Sequence, residues 1–297
     1  MALGVLACAV MASFNVAAAV PSVLVPQGGV ARWADMAAAE CGFHGKRYPA
    51  VDAVCYYPVD LRAKAGVHEI ALYDQDGKQH LGALKVEKVD FPEVEITLPD
   101  ATFIELTDAN TKRHQAERER VLKALMVAPS AARFSLPLGK PAHTMPVSEN
   151  DFGSRRLFNG TKRSQHTGRD APVTVGSDVL AVADGTVVLA EEQFFTGVSV
   201  FVDHGGGLIS MNFHLGELTV GAGDEVKRGQ TLGKVGSSGR STGPHMHLGM
   251  RWMNARIDPF LLLDAPKKLP SIGDAPPKAE AKIDAARAKE PIETDGG

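Results

Sequence analysis

From about residue 134 to 263 the chain is a succession of short Val-rich runs, VLAVA, GTVVLA, VSVFVD and GLISMNFHL, each closed by a Gly-rich turn. Short β-branched runs bounded by glycine read as strands. Poor in aromatics and full of Val and Gly, this region argues for an antiparallel β architecture. The 297 residues are 44% hydrophobic and 23% charged, enough for a packed core in one large or two ordinary domains. A net charge of −3 and the lack of any Lys/Arg stripe with interleaved aromatics exclude nucleic acid as a partner.

Ahead of this region the character changes twice. Residues 20–100 read as a small β-domain: HEIALYD and ALKVEKV alternate, and DQDGKQ between them carries an Asp-Gly turn signal. His44, His68 and His80 are scattered there without partners at ligand spacing and read as surface or turn residues. In DANTKRHQAERERVLKALMVA, residues 108–128, charged helix formers dominate and Leu122, Leu125 and Met126 follow the i, i+3, i+4 rule. This predicts a connecting helix within a 101–133 linker, its second half resting on a domain and its charges forming a solvated face. The domain that follows is assigned to 134–264. The Pro/Ala/Lys/Glu-rich residues 265–297 hold too few large apolar side chains to offset their ordering entropy and are expected to be a disordered tail.

Residues 2–14 are almost wholly apolar, and Ala17-Ala18-Ala19 has the small-residue pattern of a signal-peptidase site. Residues 1–19 therefore read as a signal peptide, with the mature protein in the periplasm or cell envelope and no membrane span. Only seven residues precede Cys8, too few for a lipoprotein signal. The remaining pair, Cys41 and Cys55, is expected to form a disulfide in an exported chain, stabilising the domain by about 3 kcal/mol.

Five of the ten histidines fall between 166 and 247. In HTGRD, His166 and Asp170 stand four apart around Gly168, a His/carboxylate set that suits zinc. In HMHLGMRW, alternation puts His245, His247, Gly249 and Arg251 on one face and Met246, Leu248, Met250 and Trp252 on the other, which is the core side. In GLISMNFHL, alternation puts Leu208, Ser210, Asn212 and His214 on the polar face and Ile209, Met211, Phe213 and Leu215 on the apolar one. Three such clusters in one small β-domain point to a shared metal site. His204, in VDHGGG, sits at a hairpin turn signal and reads as structural or exposed. There is no HExxH helix and no suitable catalytic cysteine.

HTGRD, the strand ending in His214-Leu215 and GSSGRSTGPHMHLG resemble, in that order, the three motifs of the LytM/lysostaphin-type zinc metalloendopeptidases of bacterial peptidoglycan. The flanks FGSRRLFNG, VLAVADGTVV, GDEVKRGQTLGKVG and ARIDPFLLL agree, so the resemblance covers about residues 145–263. It implies a mostly β protein: an antiparallel β-sheet catalytic domain, duplicated and hybrid barrel-like, preceded by a small β-domain and a connecting helix. It implies one Zn2+ held by His166, Asp170 and His247, with His214 and His245 as the two catalytic histidines beside the reactive water. The implied partners are peptidoglycan stem peptides, with room for a cell-envelope protein. The family commonly has an aromatic two residues before the first catalytic histidine. Asn212 stands there instead, and by alternation it faces the groove, which bears on substrate preference. Two other readings compete. A catalytically silent LytM-type regulator of a cell-wall amidase would have lost ligands that are intact here. A lipoyl- or biotinyl-carrier barrel, suggested by GDEVKRGQTLGKVG, leaves HTGRD and HMH unexplained.

Overall fold

The computed structural model describes residues 20–98, 100–126, 130–146 and 148–272. The expected signal segment, and the tail beyond residue 272, lie outside the described residues. No helix among the described residues is long and apolar enough to cross a membrane.

The first strands are β1 (Ser22–Pro26), β2 (Val30–Trp33), β3 (Ala38–Phe43), β4 (Lys46–Pro49), β5 (Cys55–Pro58), β6 (Gly66–Asp74), β7 (Gln79–Glu87) and β8 (Glu93–Ile96). Five of them form a sheet in the order β1-β7-β6-β3-β4. The Asp-Gly signal makes the β6–β7 hairpin: Asp74 Oδ1 accepts from the backbone N–H groups of Asp76 and Lys78, and Gly77 takes φ +78°. Ile70, Leu72, Leu84 and Val86 bury one face of the sheet against Trp33 and Tyr57. The expected disulfide closes this core, joining Cys41 to Cys55 with their Cα atoms 5.4 Å apart.

The connecting helix α1 spans Asp108–Leu125, with the Thr107 hydroxyl capping its first turn. Its buried stripe differs from the expected one. Val121, Ala124 and Leu125 pack on Leu189, Phe201, Ile209 and Met211, whereas Leu122 and Met126 are exposed. Nor are all its charges solvated. Glu117 is 4% exposed, accepts from the Phe194 N–H at 2.9 Å and pairs with Arg113 at 2.7 Å. A carboxylate that takes two donors can be buried where a lone one could not.

The second region comprises β9 (Arg155–Phe158), β10 (Lys162–Gln165), β11 (Gly168–Ala171), β12 (Asp178–Leu180), β13 (Gly185–Gln193), β14 (Gly197–Asp203), β15 (Leu208–Leu218), β16 (Glu225–Val226), β17 (Thr231–Val235), β18 (Met246–Trp252) and β19 (Ala255–Ile257). Its main sheet has nine strands and the path β11-β18-β15-β14-β13-β16, with β12, β17 and β19 attached. Every pairing in it is antiparallel, as the short Gly-punctuated runs require. The fold is mostly β, as expected.

Two segments cross the expected boundaries. β8 pairs in parallel with β9, so the end of the N-terminal stretch joins a three-stranded sheet with β9 and β10 beside the site. The start of the expected disordered tail is folded: β20 (Ser271–Ile272) pairs with β2, and Leu269 and Ile272 are 3% and 2% exposed. Those two side chains find ready-made apolar pockets, Leu269 beside Trp252 and Leu262, and Ile272 in the N-terminal core. The two halves also share a core in which the Tyr56 ring lies 5.4 Å from Trp252. Arg256 grips Asp60 through its backbone N–H, Nε and Nη2, at 2.9, 2.9 and 2.6 Å.

Candidate metal centre

The site is built on the β11–β18 pair. Its register sets Asp170 opposite His247 and Gly168 opposite Gly249. Residues directly opposed in an antiparallel pair present their side chains on the same face, so Asp170 and His247 meet although 77 residues separate them. Gly168 has a steric reason to be glycine. A Cβ there would lie 2.4 Å from the Leu248 carbonyl oxygen and 2.6 Å from His247 Nε2. His166, just before β11, reaches back to the same point.

Three donor atoms converge. His247 Nδ1 lies 2.7 Å from Asp170 Oδ1, His166 Nε2 lies 3.2 Å from the same oxygen, and the two nitrogens are 3.1 Å apart. These residues form a group able to hold a metal ion. Each is oriented from behind. His166 Nδ1 donates to Asp151, 3.1 Å from both its backbone oxygen and its Oδ2, which turns Nε2 toward the site. Arg156 Nη2 holds Asp170 Oδ2 at 2.6 Å and Asp151 Oδ2 at 3.1 Å, leaving Oδ1 to face inward. Phe213 stacks on His247 with ring centroids 4.8 Å apart and planes 11° from parallel.

Asp151, Arg156 and Phe213 are supports that the sequence pattern does not single out: Arg156 lies within the flank FGSRRLFNG, Asp151 carries no ligand-spacing signal, and alternation puts Phe213 on the opposite face.

Electrostatics follow from burial and partners. Burial opposes ionisation of Asp170, but hydrogen bonds from His166 and His247 outweigh it and hold its pKa well below the usual carboxylate range. Burial also disfavours charge on both histidines. In His166 the bonds to Asp151 and Asp170 outweigh it and raise the pKa, whereas in His247 burial wins and lowers it. The His166 and His247 side chains are 4% and 6% exposed against 23% for Asp170 and 18% for His245, so the centre opens on the Asp170–His245 side.

His214 and His245 border the centre. Their rings lie 5.2 Å apart, and His245 Nε2 is 3.6 Å from Asp170 Oδ1. His214 Nδ1 donates to the Ser238 carbonyl at 2.7 Å, and His245 Nδ1 to that of Gly243 at 2.8 Å. Neither Nε2 makes a hydrogen bond among the described residues. Burial, then the neighbouring His247, lowers the His214 pKa to about 3, so its ring is neutral.

The structure reverses the expected faces of β15. β18 follows the alternation, with Met246, Leu248, Met250 and Trp252 in the core. β15 pairs with it, so Asn212 lies opposite Leu248 and Phe213 opposite His247. Leu208, Ser210 and Asn212 therefore face the core, while Ile209 and Met211 face α1 on the side of the centre. Asn212 does not face the groove. It is 1% exposed, with neither amide atom hydrogen-bonded. His214 still reaches the centre because it takes φ +61° where the β14–β15 register slips, a bulge that inverts the alternation and returns Leu215 to the core. His204 is structural: fully buried, it bridges the Asp184 carbonyl at 2.9 Å and Ser210 Oγ at 2.8 Å.

A model of Peptidase family M23 matches residues 164–259, the segment that carries this centre. Peptidoglycan DD-endopeptidase ShyC of Vibrio cholerae is 33% identical over 148 residues, 50% of this chain and 31% of ShyC. Peptidoglycan DD-endopeptidase ShyA of the same organism is 38% identical over 102 residues, 34% of this chain and 24% of ShyA. The chain thus spans about a quarter to a third of these curated relatives. A crystal structure of a Pseudomonas aeruginosa protein assigned to peptidase M23 superposes with a TM-score of 0.61 at 29% identity, covering 80% of this chain and 94% of that one. Residues 164–259, which hold His166, Asp170 and His247, are thus a domain of the Peptidase family M23 type.

Proposed function

We propose that the protein is a zinc-dependent endopeptidase that hydrolyses peptide cross-links of bacterial peptidoglycan outside the cytoplasm. The convergence of His166 Nε2, Asp170 Oδ1 and His247 Nδ1 beside two further histidines carries this reading. Two imidazole nitrogens and a carboxylate oxygen are zinc donors. A tetrahedral ion bound at about 2.0–2.1 Å would hold its donors about 3.3 Å apart, and the observed edges of 2.7–3.2 Å lie just inside that. Three protein donors leave a fourth position open, where zinc would acidify a water and polarise the scissile carbonyl.

The chain's own residues supply the rest. Asp151 fixes the tautomer of His166, and Arg156 holds Asp170 with one oxygen turned inward. His214 and His245 each engage a backbone carbonyl through Nδ1, which leaves Nε2 available at the border of the centre. One would accept the proton of the attacking water and return it to the amine nitrogen as the C–N bond breaks, and the other, protonated from solvent, would hydrogen-bond the oxyanion that develops on the carbonyl. The relatives' names, peptidoglycan DD-endopeptidases, support the choice of substrate. The signal-like residues 1–19 and the Cys41–Cys55 disulfide support an oxidising location in the periplasm or cell envelope.

The test is chromatography of muropeptides released from cross-linked peptidoglycan by the purified protein, with added zinc, with chelator, and with His247→Ala. Cross-linked dimers should fall to monomers only with the zinc-loaded wild type. Dimers that persist although one zinc is bound per chain would refute the peptidase reading.

A further inference from the structure

The loop between β17 and β18 touches both histidines that border the centre. The Ser238 carbonyl accepts from His214 Nδ1 at 2.7 Å, and Ser241 Oγ lies 3.4 Å from His245 Nδ1. Arg240 stands between these two contacts in the chain. Its backbone is fixed. The Arg240 N–H donates to the Phe195 carbonyl at 2.8 Å, and at Gly239, φ +69°, a Cβ would lie 2.3 Å from the Gly197 nitrogen. The guanidinium carbon lies 4.2 Å from the centroid of the Phe158 ring and 4.6 Å from that of Phe195. Phe158 in turn packs with Leu98 and Ile104, and it ties Arg240 to the metal centre. It follows Arg156 by two residues on β9, so the two share a face about 7 Å apart. Arg156 grips Asp170. Arg240 therefore adjoins the Asp170–His245 side, where the centre opens.

The charge of Arg240 is unanswered. Its side chain is partly exposed and makes no hydrogen bond or ion pair among the described residues. The charge it senses is another cation. Burial, then Arg156, lowers its pKa to about 10, so it stays protonated at neutral pH. The other arginines at the centre are matched, Arg156 by Asp151 and Asp170 and Arg169 by Asp258. The two rings offset part of the cost of desolvating the guanidinium, but they supply no acceptor in the plane of its N–H donors. A planar fork of donors with no carboxylate of its own is the group that recognises one on a ligand. Its fixed backbone means that little ordering remains to be done when that ligand arrives.

We propose that Arg240 forms a carboxylate-binding subsite beside the centre. It pairs with a free carboxylate on the substrate peptide about two residues from the bond placed at His166, Asp170 and His247, a reach set by the strand spacing of about 3.3 Å per residue. This rests on the peptidase reading. The subsite favours cross-link peptides that carry a free carboxylate, at the chain terminus or on a side chain, over the same peptides with that group amidated.

The probe is the set of cross-linked peptide dimers isolated from peptidoglycan, native and with their carboxylates converted to primary amides. Calorimetric titration into the full chain is run in chelator, which stops hydrolysis and removes zinc as a competing carboxylate ligand. The wild type should bind the native dimers about tenfold to a hundredfold more tightly than the amidated ones, the range for a charge-assisted hydrogen bond. Arg240→Gln should lose that preference while binding the amidated dimers as the wild type does. Arg240→Lys, which keeps the charge but not the fork, should recover part of it. Dimers amidated at the chain terminus alone separate the two sources: the preference is lost if the carboxylate is terminal and kept if it is on a side chain. In the zinc-loaded protein Arg240→Gln should act on KM rather than kcat. A wild type indifferent to full amidation overturns the proposal, as does a preference that survives in Arg240→Gln. If binding in chelator is too weak to measure, the zinc-loaded KM values decide, or the Kd values where nothing is cleaved. If Arg240→Gln does not fold, the wild-type ratio and Arg240→Lys decide. Cleavage without the preference would refute the subsite alone, and the preference without cleavage would refute the peptidase reading alone.

Discussion

Gly168→Ala is the sharpest test of how the centre is assembled. The added Cβ would sit 2.4 Å from the Leu248 carbonyl oxygen, against an ordinary contact of 3.4 Å or more. Both Leu248 and Gly168 belong to paired backbone, so β11 and β18 must part by the difference, about 1 Å. Asp170 and His247 straddle that seam, and their 2.7 Å separation would open by a similar amount. Overpacking of this kind costs about 1–3 kcal/mol. Displaced donors should lower zinc affinity by about tenfold to a hundredfold, the range seen when support for metal ligands is lost. Zinc affinity would be measured by competition with a fluorescent chelator, and stability by denaturant unfolding in excess chelator. Gly216→Ala, whose Cβ would meet nothing nearer than 3.5 Å, is the comparison and should change both little. If Gly168→Ala binds zinc as tightly as the wild type and loses less than about 0.5 kcal/mol, the close strand approach does not set the donor geometry.

Three further outcomes are expected. Asn212→Leu should stabilise the protein by about 1 kcal/mol in denaturant unfolding, because it replaces a buried amide that has no partner. It should leave peptide preference unchanged, since Asn212 faces the core. Asp60→Asn should cost about 1.5–3 kcal/mol at neutral pH by weakening the Arg256 ion pair. Burial opposes ionisation of Asp60 but the Arg256 bonds lower its pKa, so this difference from wild type, read from unfolding curves, should be full above the ordinary value of 3.8 and vanish as pH falls through the lowered one. His204, its pKa lowered by burial from 6.5 to about 4, takes up a proton in the unfolded state first. Between those pH values stability should fall on acidification by about 1.4 kcal/mol per pH unit from this group alone. His204→Gln should flatten the profile in that window, and an unchanged slope would show that His204 is not buried as a neutral ring.

Much of this protein follows from local pattern. Gly-punctuated Val runs dictate an antiparallel β fold because short apolar segments must find partners across tight turns. The Asp-Gly signal makes the β6–β7 hairpin, and period two along β18 puts His247, Gly249 and Arg251 on one face against a Met/Leu/Trp core. Other features were settled only when distant segments met. The faces of β15 could not be read from alternation: α1 covers the side of the centre and needs Ile209 and Met211 there, and the bulge at His214 inverts the phase. Glu117 and Leu269 looked solvated until the Phe194 N–H and the pocket beside Trp252 received them. The meeting of Asp170 with His247, and the support of Asp151 and Arg156 behind them, depend on strand register and loop packing, which side-chain periodicity does not encode. The sequence by itself determined the donor types and the strand that carries them. The tertiary structure decided which atoms converge, because convergence depends on the register between strands far apart in the chain.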